Sequence, residues 1–151
     1  MHEPDWFAER LQRMLWIEET LAHEVLPLLL EHAEGNDLCY GLERHRLETK
    51  EHALGVRVAL EKLGAHPLPE PTPELPVPDL EHGDLGIVET IMKTEHLEIA
   101  AYTLLRSVAN ALGDEEIALR LQEVLEQEQY ALELTEKAAA KLLAERVTNA
   151  L

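Results

Sequence analysis

The run HPLPEPTPELPVP, residues 66–78, decides how this chain folds, because it holds six of the eight prolines in the sequence. Proline has no N–H to donate and a fixed φ, so such a run fits neither a helix interior nor the middle of a sheet. It reads as a stiff, extended connection over residues 65–82. On either side the chain is rich in Leu, Ala and Glu, and each half reads as helix, short turn, helix. The first helix is expected from just after Asp5, its N-cap, to about Glu34, with Gly35 as its stop and a bend at Pro27. The second should run from Asn36 or Asp37 to Leu63, with Gly64 as the left-handed residue past its end. The third should follow Gly83 or Asp84 and end at Gly113, and the fourth should run from Asp114 to about Val147. Helices of roughly 26 to 34 residues, about 40 to 50 Å long at 1.5 Å per residue, suit a bundle. The expected fold is therefore all-α, a single domain over residues 1–151 built as an antiparallel four-helix bundle, two helical hairpins joined by a long crossover.

Composition supports this and removes several function classes. The chain has 151 residues, 46% of them apolar but only 4% aromatic, which favours helices over a sandwich of β-branched and aromatic residues. Thirteen basic residues against thirty acidic give a formal charge of −17. That charge repels nucleic-acid phosphates and anionic lipid surfaces and attracts cations, so neither nucleic acid nor membrane is an expected partner. One cysteine, Cys39, allows no internal disulfide, and the N-terminal residues lack the pattern of a signal peptide. A cytoplasmic setting is expected. There is no Gly-rich phosphate loop, no Cys-x-x-Cys pair and no serine-nucleophile elbow.

Within the helices, residues three and four apart share the face that points into a bundle. The second helix presents Leu38, Leu42, His45, Thr49, His52, Val56, Ala59 and Leu63, with Glu48 three residues after His45 and four before His52. The third presents Val88, Ile91, Glu95, Glu98, Tyr102, Leu105, Ala109 and Leu112. The fourth presents Ile117, Leu121, Val124, Glu128, Ala131, Thr135, Ala138 and Leu142. The first is ambiguous, since a stripe through Leu15, Glu19, Ala22, Leu26 and Leu29 is as regular as one through Met14, Glu18, Leu21, Val25 and Leu28. Several carboxylates thus fall in seams that are otherwise apolar. Burying one unpaired carboxylate costs several kcal/mol, and gathering a few in one layer multiplies the cost through repulsion. His45 and His52 are too few to compensate. Bound divalent cations would, and carboxylate oxygen with imidazole nitrogen is a suitable ligand set.

The strings around these residues carry a resemblance. LWIEETLAHEVLP in the first helix, HRLETKEH in the second (His45, Glu48, Thr49, His52) and EHLEIAAY in the third (Glu95, His96, Glu98, Ile99, Ala100, Tyr102) resemble the ferritin-like superfamily. They are most similar to the bacterial stress-associated proteins classed as domain of unknown function 892. The resemblance implies a dinuclear site of iron or manganese, with zinc as a substitute after purification. Glu48 and Glu128 would bridge the ions, Glu19 and Glu95 would be terminal ligands, and Glu98 and His52 would complete the shell, with Tyr102 as a hydroxyl donor behind it. Ferritin-like sites draw one Glu from each of two helices and a Glu-x-x-His pair from each of the other two. This chain departs from that pattern, since Glu51 stands three residues after Glu48 and Ala131 three after Glu128. The pair Glu95 and Glu98 looks instead like the rubrerythrin variation. His52, His45 and Glu51 remain alternatives for the sixth ligand, and His52 is preferred as the seam residue one turn after Glu48. The resemblance further implies a stress-linked role with dioxygen, peroxide or ferroxidase chemistry, and a homodimer is expected in place of a storage cage. The rival expectation is a non-enzymatic helical bundle that needs no metal.

Overall fold

Alternation of a period-3.6 apolar stripe with glycine and proline stops produces four helical rods in the computed structural model, which describes residues 3–65 and 74–150. The first rod is α1 (Glu3–Thr20), a π-helical turn (Leu21–Val25) and α2 (Leu26–His32). The others are α3 (Asn36–Lys62), α4 (Gly83–Ala111) and α5 (Glu115–Ala150). No strand occurs among the described residues, and no described helix is long and apolar enough to cross a membrane. The first rod packs on α3 and α4 packs on α5, so the two hairpins form the two layers of the bundle. Residues 66–73 of the expected crossover lie outside the described residues; residues 74–80 are irregular, as the prolines there require.

The ends of the rods follow the expected signals with three differences. Gly64 (φ 69°) and Gly113 (φ 75°) take the left-handed conformation just past α3 and α4, where a side chain would be strained. Asp114 accepts the Ile117 N–H at 3.1 Å and so caps α5 from the residue before it. Asp5, expected as an N-cap, instead lies inside α1, which already begins at Glu3. Gly35 is not a left-handed stop: its φ is −71°. The N–H groups of Glu34 and Gly35 are instead received by the two carboxylate oxygens of Asp84, each at 2.9 Å, which ties the α2–α3 turn to the start of α4.

The third difference bears on the site. The helix around Pro27 widens into a π turn rather than only bending. In an α-helix the Pro27 nitrogen would have to donate to the preceding turn, and it cannot. An inserted residue, with Leu26 N–H reaching back to the Leu21 carbonyl, avoids that loss. A π turn advances the register by one residue. Leu26 and Leu29 therefore share their buried face with Glu18, Met14 and Leu11 rather than with Glu19 alone.

Two apolar clusters occupy the bundle. One gathers Phe7, Leu11, Leu15, Val56, Leu60, Leu105, Ile117, Leu121 and Leu125; the other gathers Leu21, Leu26, Leu29, Leu42, Ile87 and Ile91. Burying each such side chain contributes about 1.5–3 kcal/mol, which offsets the cost of burying the polar residues among them. At the crossover end of α4, Asp79 N–H donates to Thr90 Oγ1 at 3.0 Å. Gly86 lies so close that a Cβ there would stand 2.7 Å from Asp79 Cγ.

Candidate metal centre

Each rod contributes a buried ionisable residue to one cluster: Glu18 from α1, His52 from α3, Glu98 from α4 and Glu128 from α5. All four are buried, none more than 3% exposed, and one ligand atom from each lies within 4.8 Å of the others. His52 Nδ1 stands 3.1 Å from Glu128 Oε1 and 3.9 Å from Glu18 Oε2. The other imidazole nitrogen, Nε2, is 2.6 Å from Gln127 Oε1. That contact fits an Nε2–H donor and leaves Nδ1 aimed at the carboxylates. Behind Glu18, the buried Tyr102 hydroxyl donates to Oε1 at 2.7 Å, so Oε2 is the atom left for the cluster.

One turn along α4 a second group adjoins the first. Glu95 is 1% exposed; its Oε1 accepts the Thr135 hydroxyl at 3.0 Å and lies 3.9 Å from His45 Nδ1. The charge of Glu128 also acts on both Glu95 and His45.

The electrostatics are those of acids crowded away from water. Burial, reinforced by the charges of Glu128 and Glu18, pushes the Glu98 carboxyl well above the usual range. Burial raises Glu18 to about 7 even though the Glu98 side chain and His52 pull it down. Glu95 rises to about 8, again chiefly by burial, with the Thr135 hydroxyl opposing and the Glu128 charge assisting. Burial alone would lower His52, but its contact with Glu128 and the charge of Glu18 outweigh that and hold it at about 9. Glu128 goes the other way: burial opposes ionisation, yet the His52 contact and the charges of His45 and His52 keep it below the ordinary value. His45 is pushed down by burial, with Glu128 opposing. Burial and the Glu18 charge raise Tyr102 well above its ordinary value, so its hydroxyl keeps the proton it donates.

This donor set fits divalent cations. Glu18 Oε2, His52 Nδ1, Glu95 Oε2, both carboxylate oxygens of Glu98 and Glu128 Oε2 are buried with no aligned hydrogen-bond partner. Leaving such atoms unpaired costs about 1–3 kcal/mol each, and more for charged groups. All six belong to carboxylates or an imidazole, the donor types that divalent cations satisfy where water is excluded.

Of the residues expected from sequence, the structure brings together His52, Glu98 and Glu128, with Glu95 one turn away. Glu19 is not among them. It points to the side of the bundle, where its Oε1 accepts Arg57 Nη2 at 3.0 Å and its Oε2 pairs with His23 at 3.1 Å. The π turn is the cause, since it substitutes Glu18 for Glu19 on the inward face. Glu48 is half-buried and paired with Arg44 at 3.1 Å, outside the four-residue cluster. Glu51 is exposed. Sequence reasoning held Glu18 and His45 only as alternatives and did not single out Gln127, which has no periodic signal because the residue as a whole is exposed.

None of the curated proteins matches this sequence. Residues 74–148 match the family described as domain of unknown function (DUF892), a stretch that carries Glu95, Glu98 and Glu128 but neither Glu18 nor His52. Solved structures extend the likeness to the whole chain. A protein from Xanthomonas campestris pv. campestris is 22% identical, with 98% of each chain covered and a TM-score of 0.83. A structure described as ferritin-like, diiron-carboxylate proteins from Bacillus anthracis is 19% identical over 92% of this chain and 99% of that one, with a TM-score of 0.81. The E. coli stress protein YciF is 20% identical over 95% and 98%, with a TM-score of 0.80. The fold is thus that of the ferritin-like structures it resembles, and residues 74–148 match the family described as domain of unknown function (DUF892).

Proposed function

We propose that this protein holds a pair of divalent metal ions, iron or manganese, within the polar layer of the bundle. The observation that carries this reading is the convergence of Glu18, His52, Glu98 and Glu128 from four rods, buried and with ligand atoms within 4.8 Å of one another. These four would hold one ion; Glu95 and His45, sharing Glu128, would hold the second. Ions of this kind, when bound, supply a redox couple that can exchange electrons with dioxygen, peroxide or Fe²⁺. The chain's own part is to keep the layer dry, to aim His52 through Gln127 and Glu18 through Tyr102, and to offer carboxylates whose protons leave when cations enter. The likeness to a structure described as diiron-carboxylate supports iron, and the likeness to a stress protein supports a role in stress.

The test is elemental analysis of protein purified without chelator, with Fe²⁺ and Mn²⁺ titrated into the metal-free form. About two ions per chain and a raised melting temperature are expected. Absence of Fe, Mn and Zn together with no stabilisation by either ion would favour a second reading, a bundle whose layer is satisfied by protons. The raised carboxyls of Glu18, Glu95 and Glu98 make that reading concrete.

The proposal includes a homodimer through the outer face of α3. Leu47, Leu54 and Val58 are exposed there at helical spacing. Asp37, Glu43, Glu48, Glu51 and Glu61 are balanced by Arg44, Arg46, Lys50, Arg57 and Lys62, so this helix is neutral in a chain of charge −17. Two copies can therefore meet on α3 without the repulsion met elsewhere. Light scattering of Leu54→Glu, expected to be monomeric, checks it.

A further inference from the structure

The seam between α3 and α5 is not closed beside the polar layer. A cavity of ≈ 270 Å³ opens there from the surface, with His45 and Glu95 among its lining residues and α4 contributing Ile91. A second cavity, ≈ 140 Å³, opens on the same seam one to two turns along, next to His52 and Gln127. The larger one differs from a route for hydrated cations, which needs polar walls throughout. Its walls are aliphatic, with Leu42, Ile91 and Leu134 among them, and polar groups are confined to its inner end and its rim.

We infer that this larger cavity is a binding site for a small uncharged molecule with an apolar body and one hydroxyl, of the size of a single-ring phenol. Cavities of about 150 Å³ with aliphatic linings already hold benzene, so the volume is sufficient for a substituted ring. The inner end supplies the hydrogen-bonding partner. Glu95 Oε1 is taken by Thr135, but Oε2 is buried and unpartnered, and a hydroxyl arriving along the cavity, which can donate to that oxygen or accept from it, would satisfy it. Charge selects against ions of either sign. Anions meet the Glu48 carboxylate near the rim. Cations meet Arg44 at the rim, where its guanidinium lies 5.6 Å from the Tyr130 ring and 3.1 Å from the Glu48 carboxylate. The apolar walls strip hydration from both, a cost that an uncharged molecule avoids.

That the bound molecule is then a substrate rests on the metal reading above, but binding does not, because Glu95 Oε2 is free in the metal-free chain. The experiment is calorimetric titration of 4-methylphenol into the full-length, metal-free protein, with benzoate and benzylamine as the anionic and cationic counterparts. The metal stoichiometry of each variant is measured separately. We expect 4-methylphenol to bind at least tenfold more tightly than either ion. Ala131→Leu and Ala138→Leu, which fill the cavity from two positions on α5, should each weaken it at least tenfold without altering the helical circular dichroism. No binding by the wild-type chain, equal binding by both filled variants, or preference for a charged probe overturns the inference. Absence of metal binding by the wild-type chain with phenol binding intact would overturn the metal reading instead and leave the cavity assignment standing.

Discussion

Raising the pH of the metal-free chain from 7 to 9 should unfold it more easily, and the size of the effect follows from two buried groups. Glu95 has its pKa raised from 4.5 to about 8, and His52 from 6.5 to about 9. Each is higher folded than unfolded, so each contributes stability that is complete below the ordinary value and is lost as the pH climbs through the folded one. Between pH 7 and pH 9, Glu95 crosses the last pH unit of its range and His52 the last two. At about 1.4 kcal/mol per unit this amounts to about 4 kcal/mol, a large share of the roughly 5–15 kcal/mol that holds a domain together. Glu98, also raised, acts in the same direction. Glu128 and His45 are lowered, so their contributions change only below about pH 4.5 and pH 6.5 and fall outside the window. The assay is urea unfolding followed by far-ultraviolet circular dichroism in the presence of chelator. With a slope of about 2 kcal/mol per molar urea, the midpoint should drop by about 2 M between the two pH values. Saturation with Mn²⁺ should flatten the dependence, because cations then take the place of the protons. A midpoint that stays constant or rises between pH 7 and 9 in the metal-free chain would refute the account of the polar layer as crowded, dry acids.

Four substitutions separate the roles of individual residues. Glu18→Gln should weaken Mn²⁺ binding by more than about 100-fold in a calorimetric titration, whereas Glu19→Gln, which loses only partly exposed ion pairs with Arg57 and His23, should change stability by less than about 1 kcal/mol and leave the metal stoichiometry intact. Tyr102→Phe removes the donor to Glu18 Oε1; it should cost about 1–3 kcal/mol of stability and 10- to 100-fold in metal affinity, read by urea unfolding and metal titration. Gly86→Ala would push a Cβ to 2.7 Å from Asp79 Cγ and 2.9 Å from its carbonyl oxygen. It should lower the melting temperature by an amount equivalent to about 1–3 kcal/mol while metal binding at the distant layer is unchanged.

The number, length and ends of the helices were open to reading because they depend on local chemistry. Proline cannot continue a helix, glycine takes the left-handed turn at residues 64 and 113, and Asp114 can cap only the helix that follows it. The inward faces of α3, α4 and the first half of α5 were equally legible, since three uninterrupted α-helical stripes place His52, Glu95, Glu98 and Glu128 toward the interior wherever the rods meet. The first helix was not. Its two stripes differ by a single residue, and choosing between them required knowing that the backbone widens over Leu21–Val25. Pro27 makes that widening inexpensive, but only packing against α3 and α4 selects it, by burying Leu26 and Leu29 and Glu18 on one face. Glu48 shows a second limit. It stands within a quoted motif, but in the packed bundle it lies half-exposed beside Arg44. Sequence by itself therefore determined the rods and most of the acids they turn inward, because periodicity is a property of one helix. Which acids share a metal's reach, and which partners hold them, was decided by how the rods are rotated and spaced against one another, and that is settled only when all four are packed.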